Sequence, residues 1–333
     1  MAIDVRWGFL GIGRVTERMV VAMGSRPGHR ICMAAGRDPI KVREWGERHR
    51  VESLTTDMME VIRSPEINAV YIALPPSFHC EWTCRALHAG KRVLCEKPLG
   101  LNAAECQAMM QASRDAGVPL IHATGFVHHP RSHAMRASVK SGELGTIRRV
   151  TVACTFSSVA ERPDDHRFSV EAGGGCLLDL GWYCAYATLW FTGLKPIELK
   201  TFGSRNGGKE GEPWNQVQVI ARLDGGAVAH WDCGYDAAGR KWIEIAGSNG
   251  SIICDDFLRP WDLEKPRFWV HGQDGKARAE LVGQGILQES WMVQHAALTP
   301  MAATSESLEL AWSTQQILDE IENNAGKSAF TQV

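Results

Sequence analysis

The sequence predicts an α/β domain built on a doubly wound parallel sheet, followed by an α+β domain with a large, open, mostly antiparallel sheet. Three observations support this fold class. In the first half of the chain, short apolar strands alternate with helical segments, as in parallel sheets. In the second half, strands follow one another with glycine-containing turns between them, as in hairpins. At 333 residues the chain is too long for one ordinary core. We therefore expect two domains, residues 1–124 and residues 125–333.

The composition excludes several classes of protein. The formal net charge of -2 gives no attraction to nucleic acid or to an anionic membrane surface. No stretch approaches the roughly 18 consecutive apolar residues of a membrane span. The first residues have the pattern of a strand and not of a signal peptide. Ten scattered cysteines in mostly apolar surroundings indicate reduced thiols. We expect a cytoplasmic protein without a nucleic-acid or membrane partner.

The segment VRWGFLGIGRV runs an apolar strand into glycines at Gly8, Gly11 and Gly13. A helix over TERMVVAMGSRPG and a strand over RICMAAGRD complete a βαβ unit. Glycines in this first turn let a dinucleotide pyrophosphate approach the backbone at a helix N-terminus. The third position of the motif holds Thr16 instead of glycine or alanine. The pattern favours dinucleotide binding, and glycine needed only for packing is the alternative.

The residues after the second strand bear on the choice of cofactor. An acidic residue there would bind a free ribose 2′-hydroxyl, but the chain has Gly36 followed by Arg37. A guanidinium without a carboxylate favours a 2′-phosphate. The sequence therefore favours NADP(H), with NAD(H) as the alternative. Arg37 could instead belong to a surface turn.

The alternation continues to the end of the predicted first domain. Helices are predicted over KVREWGERHRV, DMMEVIRSPE, PPSFHCEWTCRALHAG and NAAECQAMMQASRDAG, and strands over INAVYIAL, KRVLCEKP and VPLIHATGF. Ser77 is the predicted N-cap of the third of these helices. Cys80, Cys84 and His88 recur at helical spacing there, but no second ligand pair accompanies them. We interpret them as a packed helix face and expect no metal.

Lys97 stands at the carboxyl end of a predicted buried strand, beside Glu96 and before Pro98. Ligands of open parallel sheets bind at this edge, and proline restricts the backbone of the residue before it. Lys97 is therefore expected to point into the cofactor crevice. A partly desolvated lysine can hydrogen-bond a substrate oxygen and take part in proton transfer. An exposed lysine at a strand end is the alternative.

Strands in the second half are predicted over TIRRVTVACTFSS, PIELKTFGSR, VQVIARLDGGAVAHWDCGY, KWIEIAGSNGSIICDD and PRFWVHGQ. Between the first two, GGGCLLDLGWYCAYATLWFTG predicts an apolar helix with Asp179 and Tyr183 four residues apart on one face. An aspartate among apolar residues is costly unless it is paired or faces a site. Trp231, Trp242 and Trp269 fit a subunit interface or core packing equally well.

These motifs together resemble the glucose–fructose oxidoreductase / inositol dehydrogenase (Gfo/Idh/MocA) family. The resemblance rests on GFLGIGRV, YIALPPSFH, Glu96-Lys97-Pro98, SGELGTIRRV, GGGCLLDLGWY and IEIAGSNGSI, in the family's order over most of the chain. Within the family, the tyrosine at position 183 makes the chain resemble the dihydrodiol dehydrogenase-like and glucose–fructose oxidoreductase-like members, which also carry tyrosine there. The resemblance implies a Rossmann domain and a second domain that binds substrate and forms a homodimer or homotetramer through its sheet.

The resemblance also implies the site residues. Lys97 and Tyr183 are the expected proton-transfer residues, Asp179 orients the substrate, and Arg167 lines the pocket or lies on the surface. The residues expected to bind the cofactor are Gly8, Gly11, Gly13, Arg14, Val15, Arg37, Leu74, Pro75, His79, Glu96 and Lys97. The chain departs from many relatives at Phe126, Val127 and His128, where an arginine is usual, and at His122, where several carry glutamate.

The resulting hypothesis is an NADP(H)-dependent oxidoreductase that transfers a hydride between nicotinamide and a sugar, polyol or related hydroxyl or carbonyl compound. Two alternatives remain open. One is a glycoside-cleaving enzyme of the same fold that uses NAD transiently. The other is a non-catalytic nucleotide-binding sensor, although a sensor has no need of the complete set Lys97, Asp179 and Tyr183.

Overall fold

A computed structural model describes residues 4–157 and 165–324. The described chain forms two compact units. The first comprises residues within Met1–Gly125 and Leu287–Trp312, and the second comprises residues within Phe126–Ile286 and Ser313–Val333. The predicted assignment of dinucleotide binding to residues 1–124, and of substrate binding and oligomerisation to residues 125–333, stays a prediction. In the described part of the chain, every helix is too short or too polar to cross a lipid bilayer.

The first unit is built on a six-stranded parallel sheet in the order β3-β2-β1-β4-β5-β6. Its strands are β1 (Val5–Leu10), β2 (His29–Ala35), β3 (Ser53–Thr55), β4 (Ala69–Ile72), β5 (Arg92–Glu96) and β6 (Leu120–Ala123). The chain reverses its direction of travel across the sheet between β1 and β4, which places the ends of these strands at the topological switch point. This is the predicted doubly wound sheet. The short strand β3 was not predicted.

Helices separate these strands as the sequence predicts. They are α1 (Arg14–Gly24), α2 (Pro39–His49), α3 (Met58–Arg63), α4 (His79–His88) and α5 (Ala103–Ala116). Asp38 caps α2 by accepting from the backbone N–H groups of Ile40 and Lys41 at 2.9 and 3.2 Å. The Ser77 cap prediction is wrong, because residues 76–78 form a 3₁₀ turn and Phe78 holds the N-cap position of α4.

A later helix, α8 (Gln288–Leu298), packs into the core of the first unit. Met292, Val293 and Ala296 join the core cluster that includes Trp7 and Tyr71 of the central strands. Burying a side chain of this kind contributes roughly 1.5–3 kcal/mol. The apolar contacts explain why the segment from residue 287 belongs to the first unit, a return that was not predicted.

The second unit contains an eight-stranded sheet in the order β14-β13-β12-β11-β7-β10-β9-β8. Its strands are β7 (Ile147–Thr155), β8 (Pro196–Arg205), β9 (Trp214–Leu223), β10 (Val228–Gly234), β11 (Arg240–Gly247), β12 (Gly250–Cys254), β13 (Arg267–Gly272) and β14 (Ala277–Leu281). Neighbouring strands pair antiparallel except β7 and β10, which run parallel, among the strands described. The open, mostly antiparallel sheet is therefore confirmed, and β14 was not predicted.

One face of this sheet is covered by the helix α7 (Trp182–Thr192), which is buried almost all round. Trp231 of β10 faces this helix and donates to the Thr188 hydroxyl at 2.9 Å. Two further helices are α6 (Pro130–Ser141) and α9 (Ser305–Asn324), the latter continuing from the first unit into the second. Trp231 is thus a core residue.

The opposite face carries a row of directly paired residues that runs from Ile220 on β9 to Trp269 on β13. Ile220 is 46% exposed and Trp269 is 37% exposed. Trp242 lies on this face two residues before Glu244, a member of the row. Trp242 and Trp269 therefore lie away from α7.

Candidate active site

The turn between β1 and α1 has the geometry of a phosphate cradle. Gly11 has φ +94°, and a Cβ there would lie 2.5 Å from the carbonyl oxygen of Ala73. Gly13 is the N-cap of α1 without a side-chain cap bond, and a Cβ there would meet nothing within 4 Å. The N-terminus of an eleven-residue helix is thus open to an anion. These two glycines fit a dinucleotide pyrophosphate.

Thr16 explains the departure from glycine at the third position of the motif. Its hydroxyl donates to the Gly13 carbonyl at 2.6 Å and accepts from the indole N–H of Trp45 at 3.0 Å. The side chain is fully buried. Thr16 therefore ties the first turn of α1 to α2, a role that glycine could not fill.

Three other predicted cofactor positions have different surroundings. Gly8 lies within β1, where a Cβ would come 2.3 Å from Val61 Cγ1, so packing alone requires glycine there. Arg37 is exposed just after β2. Val15, in the first turn of α1, is 42% exposed. Packing thus explains Gly8, whereas Val15 and Arg37 leave their side chains accessible.

Lys97 directly follows β5, as predicted, and its peptide bond to Pro98 is cis. The backbone N–H of Lys97 donates to Glu96 Oε2 at 3.3 Å, and the Tyr71 hydroxyl donates to Glu96 Oε1 at 2.7 Å. Burial raises the pKa of Glu96. Burial, reinforced by the charge of Glu96, raises the pKa of Tyr71 well above its usual value. Tyr71 therefore remains a neutral donor that holds the Glu96 carboxyl in place.

His79 lies at the same edge of the sheet, at the start of α4. Its Nδ1 is 2.8 Å from the Pro98 carbonyl oxygen, and its Nε2 is 2.8 Å from the Leu74 carbonyl oxygen. His79 is 1% exposed. The ring thus joins the loop after β4 to the loop after β5, and the predicted role of His79 in cofactor binding stays a prediction.

In the second unit, Asp179 stands in a π-helical turn, Leu177–Gly181, that leads into α7. Arg167 donates from Nε to Asp179 Oδ2 at 2.6 Å and from Nη1 to Asp165 Oδ1 at 3.0 Å. Tyr235 donates from its hydroxyl to Asp179 Oδ2 at 3.1 Å. Arg167 is therefore bound to two carboxylates within the second unit, and the predicted surface alternative is wrong.

The charges of this network stabilise one another. Burial opposes the charge on Arg167, but the charge and hydrogen bond of Asp179, together with the other groups around it, outweigh burial and raise the pKa of the guanidinium. Burial by itself would raise the pKa of the Asp165 carboxyl. The charge and hydrogen bonds of Arg167 act against burial, and the pKa of Asp165 is lowered. Burial and then the charge of Asp179 raise the pKa of Tyr235 well above its usual value. Tyr235 thus stays a hydrogen-bond donor to Asp179.

Tyr183 lies in the first turn of α7, four residues after Asp179, and is half-buried. Its ring contacts those of Trp182 and Phe126, with centroids 5.5 and 6.5 Å apart. Phe126, one of the departures from the family pattern, is buried in this aromatic cluster. An arginine at that position would place a charge among aromatic rings.

Three residues of these networks were not predicted from the sequence: Tyr71, Asp165 and Tyr235. Tyr71 lies within a continuous apolar strand, and Tyr235 directly follows β10. Tyr71 opens the motif YIALPPSFH, but no local signal marks either tyrosine as a donor to a carboxylate, because their partners are 25 and 56 residues away in the sequence. Asp165, two residues before Arg167, was the one that a search for neighbouring opposite charges could have found.

Comparison with known proteins decides the family. Residues 5–124 match the model described as an oxidoreductase family with an NAD-binding Rossmann fold. Residues 132–253 match the GFO/IDH/MocA C-terminal domain. The chain belongs to the GFO/IDH/MocA family of oxidoreductases. The predicted family, fold class, enzyme class and nicotinamide cofactor class are confirmed.

Two relatives illustrate the range of this family. The dTDP-3,4-didehydro-2,6-dideoxy-alpha-D-glucose 3-reductase of Saccharopolyspora spinosa is 33% identical over 262 residues, covering 78% of this chain and 77% of the relative. The trans-1,2-dihydrobenzene-1,2-diol dehydrogenase of Sus scrofa is 27% identical over 335 residues, covering 97% of each chain. Both names describe oxidoreductases that act on different carbon skeletons.

Solved structures share the fold at lower sequence identity. KijD10, a 3-ketoreductase from Actinomadura kijaniata in complex with NADP and TDP-benzene, matches with a TM-score of 0.85 and 23% identity, covering 96% of this chain and 97% of that chain. A levoglucosan dehydrogenase complexed with NADH and levoglucosan matches with a TM-score of 0.84 and 21% identity, covering 98% of each chain. The two neighbours were thus crystallised with different nicotinamide cofactors.

Proposed function

We propose that this enzyme transfers a hydride between NADP(H) and a hydroxyl or carbonyl carbon of a sugar, polyol or related compound. The observation that carries the proposal is the placement of Lys97 at the carboxyl end of β5, with its backbone N–H bound to Glu96. Relatives named as a sugar-nucleotide reductase and a diol dehydrogenase support this substrate class. The predicted site residues stay a proposal.

The predicted site residues have separate roles in the proposed reaction. Bound nicotinamide supplies or receives the hydride. The Lys97 ammonium hydrogen-bonds the reacting oxygen, and the Tyr183 hydroxyl shares the proton that moves to or from that oxygen. Asp179 accepts a hydrogen bond from a neighbouring substrate hydroxyl, while Arg167 and Tyr235 hold its carboxylate.

A preference for NADP(H) is supported by the residues that follow β2. A Cβ at Gly36 would lie 2.9 Å from Val42 Cγ2, so the position cannot carry the acidic side chain that binds a free ribose hydroxyl. Asp38 is committed to the N-terminus of α2. The exposed guanidinium of Arg37 is left as the charged group for a 2′-phosphate.

The proposed function is tested with NADPH and a panel of keto sugars and aldoses, following NADPH absorbance. Lys97→Met should bind NADPH as the wild type does, because the cradle at Gly11 and Gly13 is unchanged, but lose turnover. Lys140→Met, at an exposed lysine of α6, is the matched control and should keep full activity. Turnover by Lys97→Met at the wild-type rate would remove Lys97 from the mechanism.

Fluorescence titration with NADPH and NADH tests the cofactor preference. Tighter binding of NADPH, reduced selectively in Arg37→Ala, is the expected result. Loss of a charge-assisted contact to phosphate should weaken NADPH binding by about tenfold. Equal affinity of the wild type for both cofactors would contradict the role of Arg37.

We further propose that the enzyme is a cytoplasmic homo-oligomer assembled through the open face of the eight-stranded sheet. All ten cysteines are free thiols, which supports a reducing compartment. The row from Ile220 to Trp269 offers exposed apolar side chains to a second copy of the chain. Analytical ultracentrifugation of the wild type and of Trp269→Asp tests this. A wild-type monomer would overturn it.

A further inference from the structure

The two carbonyl oxygens facing His79 impose a condition on its protonation. Carbonyl oxygens only accept hydrogen bonds, and a neutral imidazole carries one N–H. With one N–H, the other ring nitrogen would turn its lone pair toward a carbonyl oxygen. Both N···O separations are 2.8 Å, which is the length of a donated N–H···O bond. This geometry fits an N–H donor at each ring nitrogen of His79.

A doubly donating histidine is an imidazolium cation. Burial opposes such a charge, and His79 is 1% exposed. The opposing effect is offset where each N–H of the cation makes a short hydrogen bond, since charge-assisted hydrogen bonds are stronger than neutral ones. The two backbone carbonyls supply this arrangement.

The ring also connects the loop after β4 to the residue that directly follows Lys97. Pro98, whose carbonyl it binds, directly follows Lys97, and Leu74 belongs to the loop after β4. The N–H of Lys97 is bound on the other side by Glu96. The backbone of Lys97 is thus fixed by a hydrogen bond of its own and by one at the next residue.

We propose that His79 is a positioning residue that acts as a buried imidazolium and holds the Lys97 backbone through the Pro98 carbonyl. The ring binds backbone on both sides, so it does not contact substrate itself. The part of the inference that concerns turnover rests on the proposed function of Lys97. The part that concerns the proton does not.

The proton is tested by nitrogen–proton correlation spectra of the protein labelled with ¹⁵N-histidine, near neutral pH and without cofactor. His79→Gln identifies the His79 signals by their disappearance, and His79→Asn serves if the glutamine variant does not fold. Two one-bond N–H correlations from this one ring are expected. A single N–H correlation, which is the signature of a neutral tautomer, would overturn the inference whatever the activity of the enzyme.

The positioning role is tested by separating kcat from binding in His79→Gln. Glutamine can donate to one carbonyl but cannot span both, so kcat should fall by about tenfold or more. The Kd for NADPH and the KM for the carbonyl substrate should stay near wild type. His88→Gln, at the exposed end of the same helix, is the matched control. An unchanged kcat, or a loss confined to NADPH binding, would contradict the role.

The outcomes also separate this inference from the proposed function. If the wild type reduces no sugar carbonyl, the proposed function fails. The histidine spectrum then decides by itself whether His79 is an imidazolium. If the wild type is active and His79→Gln is equally active, the proposed function stands and the positioning role fails.

Discussion

Arg167 Nε lies 2.6 Å from Asp179 Oδ2, and this ion pair joins a 3₁₀ turn to the π-helical turn before α7. The two side chains are only 22% and 13% exposed, so water screens the pair weakly. The contact explains how an aspartate is tolerated at the start of an apolar helix. It also leaves Asp179 with a fixed orientation.

Arg167→Leu should destabilise the second unit, because it leaves the Asp179 carboxylate with one donor fewer in a half-buried position. We expect a loss of about 2 kcal/mol in the free energy of unfolding, measured by urea denaturation. Arg222→Leu is the matched control, because its ion pair with Glu198 is 62% and 54% exposed. The control should lose less than about 1 kcal/mol. Equal losses in the two variants would contradict the buried role of Arg167.

Tyr235→Phe should keep the fold and alter only the hold on Asp179. The substitution removes one hydrogen bond, and we expect a loss of about 1 kcal/mol in unfolding free energy. In the proposed mechanism, kcat should fall less than in Asp179→Asn, since Arg167 still binds the carboxylate. Steady-state kinetics of both variants check this order. A larger effect for Tyr235→Phe would assign the tyrosine a more direct role.

Two glycines of the first turn should respond differently to alanine. Gly11→Ala combines φ +94° with a clash against the Ala73 carbonyl, so we expect a destabilisation of about 3 kcal/mol. Gly13→Ala has φ -72° and open space, so its stability should change by less than about 1 kcal/mol.

The same pair of variants tests the phosphate cradle. A methyl group on Gly13 should weaken NADPH binding by about tenfold, since it occupies the space above the helix N-terminus. Thermal unfolding and fluorescence titration separate the two effects. Unchanged NADPH affinity in Gly13→Ala would exclude this space as the phosphate site.

His129 should make stability depend on pH. It caps α6 by accepting from the Arg131 N–H at 3.0 Å, and burial, together with Arg131, lowers its pKa from 6.5 to about 4. Because the folded-state pKa lies below the unfolded one, the unfolded chain binds the proton first as pH falls. The contribution of neutral His129 to the free energy of unfolding is present above pH 6.5, and it is lost progressively down to about pH 4.

His129→Asn keeps an oxygen acceptor at this cap and removes the titration. The variant should match the wild type at about pH 8 and gain up to about 3 kcal/mol relative to it at about pH 4. Urea denaturation across this range is the measurement, with His230→Asn at an exposed position of β10 as the control. A constant difference between variant and wild type at every pH would exclude the titration of His129.

The sequence by itself determined the parallel sheet of the first unit, the open sheet of the second and the position of Lys97. These features depend on local signals. The alternation of strands with helices, the glycines of the first turn and the proline after Lys97 act within a few residues of their own positions. The same locality explains why Asp179 could be recognised as an unusual residue in an apolar helix.

Tertiary structure alone decided which groups these residues contact. The bond between Tyr71 and Glu96, the one between Tyr235 and Asp179, and the return of α8 into the first core join segments that lie far apart in the sequence. The two carbonyls bound by His79 lie 5 and 19 residues away from it. Such partners are selected by burial, because a polar group removed from water must find a donor or acceptor wherever the fold places one.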